Sequence, residues 1–113
     1  MTIRNLTRHT LIADKPVLAN TPLARMAGLL GRTHLDPGEA LVITPCQSIH
    51  MLFMKFAIDV IFVDRQNKVV GVCPNMRPFR LSPVFLKAHS AIEVSAGTIA
   101  SSQTQVGDSI QIG

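Results

Sequence analysis

The sequence predicts a small, mainly-β single domain, a barrel or a sandwich, with one helix near residues 22–31. Three observations carry this. Short runs rich in β-branched and apolar residues recur along the chain, as in ALVIT, IDVIFV and AIEVS. Turn formers separate them at short intervals: DKP, DPG, RQNK and VGD. One segment, TPLARMAGLLGR, carries helical spacing instead. Many short strands and a single helix make a layered β architecture.

The length of 113 residues fits one domain, 1–113, with residues 1–9 as a candidate flexible tail. Hydrophobic residues make up 47% and charged residues 16%, which excludes a disordered polar chain. Repeats and composition breaks are absent.

Taken in order, TLIADKPVLAN gives two apolar runs around Asp14–Lys15–Pro16, read as a hairpin turn. In the helical segment Thr21 suits the cap and Pro22 the first position. Leu23, Met26, Ala27 and Leu30 follow at helical spacing, and Gly31 ends the helix. Arg25 lies on its polar face, with Arg32 just beyond. LDPGEA is a turn, and ALVIT a buried strand. FAIDVIFVDRQNKVVGVC is the strongest β signal: a hairpin over 58–73 turning at Arg65–Lys68. Ile58, Val60 and Phe62 share one face, with Ile61 and Val63 on the other. Both faces are apolar, so this strand belongs in the centre of a sheet. NMRPFRLSP reads as a surface loop; FLKAHS fits more than one conformation. AIEVSAG is a strand ended by Gly97, TIASSQ one helical turn, and VGDSIQI a Gly–Asp turn into a closing strand.

A net charge of +4 permits an anionic partner without identifying one. The nearest thing to a nucleic-acid patch is RPFR, where Arg77 and Arg80 flank Phe79. With no Tyr, no Trp and no recognised motif, nucleic-acid binding is not expected. The most apolar window, residues 51–63, is too short for a bilayer and carries Lys55 and Asp59, so no membrane contact is expected. Asp14 and Lys15 cut the N-terminal apolar run before it can serve as a secretory signal. The expectation is a soluble protein, cytoplasmic in a bacterium, with Cys46 and Cys73 as reduced thiols.

Four segments resemble a known family: ARMAGLLGR, IDVIFVDRQNKVV, AIEVSAGT and VGDSI. In this order and spacing they are similar to the bacterial and archaeal family called domain of unknown function 192, over nearly all of the chain from about Arg25. The resemblance implies a compact, mostly β fold and no particular reaction. Met54 and Lys55 match the Met–Lys pair of the family's aromatic–Trp–Met–Lys–Asn stretch, while the Trp and Asn are missing. The chain looks like the sub-branch with Cys–x–Ser–Ile–His ahead of the Met.

PCQSIHMLFM places Cys46, His50 and Met54 four residues apart, on one face of either a strand or a helix. Such a set suits Cu(I), or Zn with an added carboxylate. The spacing fits no standard zinc pattern, and Met and Cys are common core fillers. The stretch is therefore expected to be structural and metal-free, with Cys46 and Met54 packed and His50 hydrogen-bonded at the boundary.

Asp59 and Glu93 sit inside β runs, where an unpaired carboxylate costs several kcal/mol. Arg25, Arg32, Lys55 and His50 are the cations expected to meet them around a shallow polar pocket. The alternative is exposed strand faces, where such pairs contribute about 0–1 kcal/mol. Asp36, Asp64 and Asp108 are assigned to turns. The leading reading is a binding or accessory domain with a polar pocket near His50, Asp59 and Glu93. It takes an unknown small molecule or a protein partner, with no cofactor. An enzyme using Cys46/His50 or Asp59/Glu93 comes second, and a soft-metal carrier using Cys46, His50 and Met54 third.

Overall fold

A strand that is apolar on both faces needs cover on both, and the architecture follows from that need. The computed structural model describes residues 1–19, 33–51 and 54–113. Its elements are β1 (Ile3–Asn5), β2 (Thr10–Ala13), β3 (Lys15–Ala19), β4 (Glu39–Ile43), β5 (Ile58–Val63), β6 (Val69–Met76), β7 (Ser90–Ser95), α1 (Thr98–Ser102) and β8 (Ile110–Ile112). They form a three-stranded sheet, β2-β1-β8, and a five-stranded sheet, β3-β4-β7-β5-β6. The fold is thus mainly β, with two sheets that do not close into a barrel. The predicted helix, with Arg25 and Arg32, lies outside the described residues.

All six residues of β5 are buried. On one face of the large sheet Val42, Ile61, Val63, Ile92 and Val94 pack against Ile3, Ile12 and Ile110 of the small sheet and Ile99 of α1. On the other, Ile58, Val60, Phe62 and Ala91 pack under Met51, Met54 and Ala88. Among the described residues that second cover comes largely from connections, not from a sheet. Because β7 lies between β4 and β5, and β5 between β6 and β7, the segments 44–57 and 77–89 must each cross over the sheet. They pair with each other on the way. Phe79 and Met51 amides donate to the Met51 and Arg80 carbonyls at 2.7 and 2.8 Å, and Ser82 and Phe85 amides to those of Ile49 and Gln47 at 2.8 Å each. FLKAHS belongs to this irregular ribbon. Its Phe85 ring lies 4.6 Å from that of Phe62, centroid to centroid. The ring fits because Gly71 is beneath it; a Cβ there would overlap Phe85.

The 58–73 hairpin forms as the sequence indicates, with β6 extended to Met76. Its turn is built on Asp64, whose Oδ1 accepts the Gln66 and Lys68 amides at 2.9 Å each. Two expectations fail. DKP is not a hairpin: β2 and β3 belong to different sheets, and β3 pairs parallel with β4. The Asp14 and Lys15 amides both donate to the Gly38 carbonyl, at 3.0 and 2.9 Å, making a corner between the sheets. The first nine residues are not a tail either, since β1 is the middle strand of the small sheet and Ile3 is fully buried.

A polar knot holds β1 in place. Asn5 Nδ2 donates to Thr104 Oγ1 at 3.1 Å and to Asp108 Oδ2 at 3.0 Å. Arg8 Nε and the Gln105 amide reach the same oxygen at 3.1 and 3.0 Å. Burial alone would raise the Asp108 carboxyl, but these donors and the Arg8 charge outweigh it and hold it below its ordinary value.

The close approach at Gly71 is directly testable. Gly71→Ala is expected to lower stability by about 1–3 kcal/mol through overpacking. In a Phe85→Leu background the loss should shrink, a coupling that urea denaturation of the four proteins would measure.

Candidate functional site

Two carboxylates are buried in the large sheet, and strand parity puts them on opposite faces. Asp59 pairs in register with Val94, whereas Glu93 pairs with Val60 and Leu41. Asp59 therefore shares the face that meets the small sheet, and Glu93 the face beneath the ribbon. The single pocket expected to hold both does not form.

Asp59 is 1% exposed and fully engaged. Its Oδ1 accepts the Asn75 amide at 2.8 Å, and its Oδ2 accepts those of Gly97 and Ile99 at 3.1 and 2.8 Å. The expected cation is not among these partners and is not needed, because three backbone dipoles meet the charge. The carboxylate ties β5 to the end of β6 and to the start of α1. Its role is structural.

Glu93 has the opposite circumstances. It is 4% exposed, and among the described residues its carboxyl has no hydrogen-bond partner. Val17, Leu41, Glu93, Val60 and Cys73 run side by side across the five strands. Burial among apolar neighbours pushes the Glu93 pKa from its ordinary 4.5 up to about 7. Near neutrality this group is a carboxylic acid as often as a carboxylate. It can then donate as well as accept a hydrogen bond. Cys73, two strands away on the same row, is also pushed up by burial, which disfavours the reactive thiolate.

The remaining candidates scatter. His50 is exposed, bridged through its backbone to Leu81, not held at a core boundary by a side-chain hydrogen bond. Lys55 is exposed and makes no ion pair among the described residues. Met51 and Met54 are buried core, and Cys46 packs against the same cluster while its thiol donates to the Ser48 carbonyl at 3.1 Å. Among the described residues no three of His, Cys, Asp and Glu gather as a metal site. An open groove of about 380 Å³ lies elsewhere, walled by Asp64, Arg65, Leu86 and Lys87 among others. None of the expected site residues lines it. The sequence marked both strand carboxylates but not their difference, which depends on which turn amides fold back onto each face.

Known proteins agree with this fold. The family model DUF192, described as an uncharacterized ACR, matches residues 6–112. A UPF0127 protein of Thermococcus sibiricus is 33% identical over 112 residues, covering 94% of this chain and 71% of that protein. One from Pyrococcus abyssi is 33% identical over 103 residues, covering 86% and 85%. A crystal structure of a protein of unknown function from Novosphingobium aromaticivorans superposes with a TM-score of 0.83 at 21% identity, covering 98% of this chain and 82% of that one. That likeness concerns the fold alone.

The two carboxylates should respond differently to substitution. Asp59→Ala leaves one buried and two part-buried amides without their acceptor and is expected to cost about 3 kcal/mol; Asp59→Asn keeps one acceptor and should cost less. Glu93 predicts a pH dependence. With a folded value near 7 against 4.5 unfolded, the folded protein keeps a proton that the unfolded chain has lost. Its contribution is therefore complete below pH 4.5 and is lost as pH rises through 7, a total of about 3 kcal/mol. Chemical denaturation across that window should show this slope, and Glu93→Gln should remove it.

Proposed function

The chain belongs to the DUF192 family, whose description names no reaction, and from that premise we propose that it is a small-ligand-binding domain with Glu93 at the base of the site. One observation carries this: a carboxyl 4% exposed, on an apolar row, with no hydrogen-bond partner among the described residues. No fully buried polar side-chain atom is left unsatisfied among the described residues, so the carboxyl keeps an edge open to a bound molecule while its burial holds it near neutrality. A ligand suited to it is compact and mainly apolar, with one polar group to meet the carboxyl. Lys55 and His50, exposed on the connection that crosses this face, belong to the rim in this reading. Arg25 and Arg32 stay with it on the strength of the sequence. Asp59 leaves it. The setting proposed is the bacterial cytoplasm, where thiols such as Cys73 stay reduced.

A second reading has a specific support. A carboxyl near pH 7 is well matched to general acid–base work. Binding is placed first because, among the described residues, the other titrating group on this row is Cys73, two strands away, and burial disfavours its thiolate.

The test combines retention and stability. Native mass spectrometry of protein purified without a tag should detect a retained small molecule, reduced or lost in Glu93→Gln and Glu93→Leu. Glu93→Leu should also raise stability at pH 8 by about 2–3 kcal/mol, as expected where a buried acid serves function at the expense of the fold. A destabilised Glu93→Leu, together with no retained molecule in the parent, would remove the reading.

A further inference from the structure

The ribbon over the sheet has an outer side as well as an inner one. From Arg65 to Ile92 the chain contains no Asp or Glu, while it carries Arg65, Lys68, Arg77, Arg80 and Lys87. Large apolar side chains on the same ribbon face water: Phe79 is 74% exposed, Leu81 69%, Val84 61% and Leu86 80%. Phe85, between them, is the one turned inward against Phe62. Burial thus took one apolar side chain of this segment and left four outside. Single exposed apolar residues are ordinary, but four on one ten-residue segment are not.

The backbone reinforces this. Phe79 has φ 66°, in the left-handed region that a bulky residue avoids. Its amide is held by the Met51 carbonyl at 2.7 Å. A strained backbone that presents an aromatic ring to solvent gains the fold nothing. The groove walled by Arg65, Leu86 and Lys87 brings one turn base alongside the ribbon, with Asp64, whose Oδ1 is engaged by turn amides, at the same wall.

We propose that the outer side of the 77–87 ribbon is a docking surface for an anionic lipid bilayer. Arg77, Arg80 and Lys87 would meet lipid phosphates, while Phe79, Leu81, Val84 and Leu86 enter the boundary between headgroups and acyl chains. Among the described residues no helix is long and apolar enough to cross a membrane; surface contact requires none. A second copy of the chain fits the surface poorly, because a self-complementary contact would bring like charges together. A nucleic acid would meet the bases but has no use for three aliphatic side chains. This surface does not involve Glu93.

The experiment is sedimentation with vesicles of phosphatidylglycerol and phosphatidylcholine in equal parts, against phosphatidylcholine alone. Binding to the anionic vesicles should be at least tenfold tighter and should weaken with salt. The triple change Arg77→Gln, Arg80→Gln, Lys87→Gln should lower it about a hundredfold, near fivefold for each base. Phe79→Asn is the decisive variant. Asn tolerates the left-handed backbone, so the unfolding midpoint should hold or rise while vesicle binding falls severalfold. Leu86→Ser, at the most exposed position, should do the same. The proposal is overturned if anionic vesicles do not sediment the protein, or if neutral ones do so equally. It is also overturned if Phe79→Asn and Leu86→Ser bind like the parent, which would leave a simple polyanion attraction; poly-glutamate or duplex DNA bound more tightly than the vesicles would identify it.

Discussion

Everything in this fold answers to the burial of β5. Six consecutive residues without solvent mean that two apolar faces need cover. The small sheet supplies one cover. No second sheet exists for the other among the described residues, so the crossover segments serve. They can do so because they pair with each other, giving irregular backbone the hydrogen bonds that a covering layer requires. Gly71 then becomes a steric requirement, since the Phe85 ring occupies the space a Cβ there would need.

The two buried carboxylates show how differently one chemical group can be used in one sheet. Asp59 faces the side where a turn and a short helix present amides, and its charge becomes a fastening. Glu93 faces the side where the cover, among the described residues, is mainly apolar, with Met51, Met54, Phe85 and Ala88, and none of them donates to it. The same strand spacing that buries both acids therefore satisfies one and leaves the other with a pKa near 7. The first arrangement gives rigidity, and the second leaves chemistry available to something else.

Much of the fold was legible because β signals are local. IDVIFV and the RQNK turn specify a hairpin from within sixteen residues, and AIEVSAG followed by TIASSQ gives a strand and one helical turn where both occur. The family likewise shows in short segments. What stayed hidden depended on distant partners. DKP has hairpin residues, yet its amides go to Gly38, which diverts β3 into the other sheet. The N-terminal residues look like a tail until Asn5 meets Asp108, 103 positions away. In the site, the sequence picked out Glu93 and Asp59 as unusual because charges in strands are unusual. It placed them together because nothing local states which turn amides reach which face. His50 looked significant beside Cys46, but the ribbon turns it outward.

The strand order also bears on how the molecule is made. β7 sits between β4 and β5, and β1 sits between β2 and β8. An elongating chain that has emerged as far as Met76 holds four of the five strands of the large sheet, but the strand that joins the two pairs is still missing. The β5–β6 hairpin alone is a marginal structure, and β5 within it exposes five apolar side chains. The small sheet waits longer still, for Ile110–Ile112. Residues through Ser95 must therefore leave the ribosome before the large sheet can close, and through Ile112 before the small one can, so folding is governed by contacts of high sequence separation. Until then the most apolar strand in the protein is an open edge, and its protection falls to the translation machinery and chaperones.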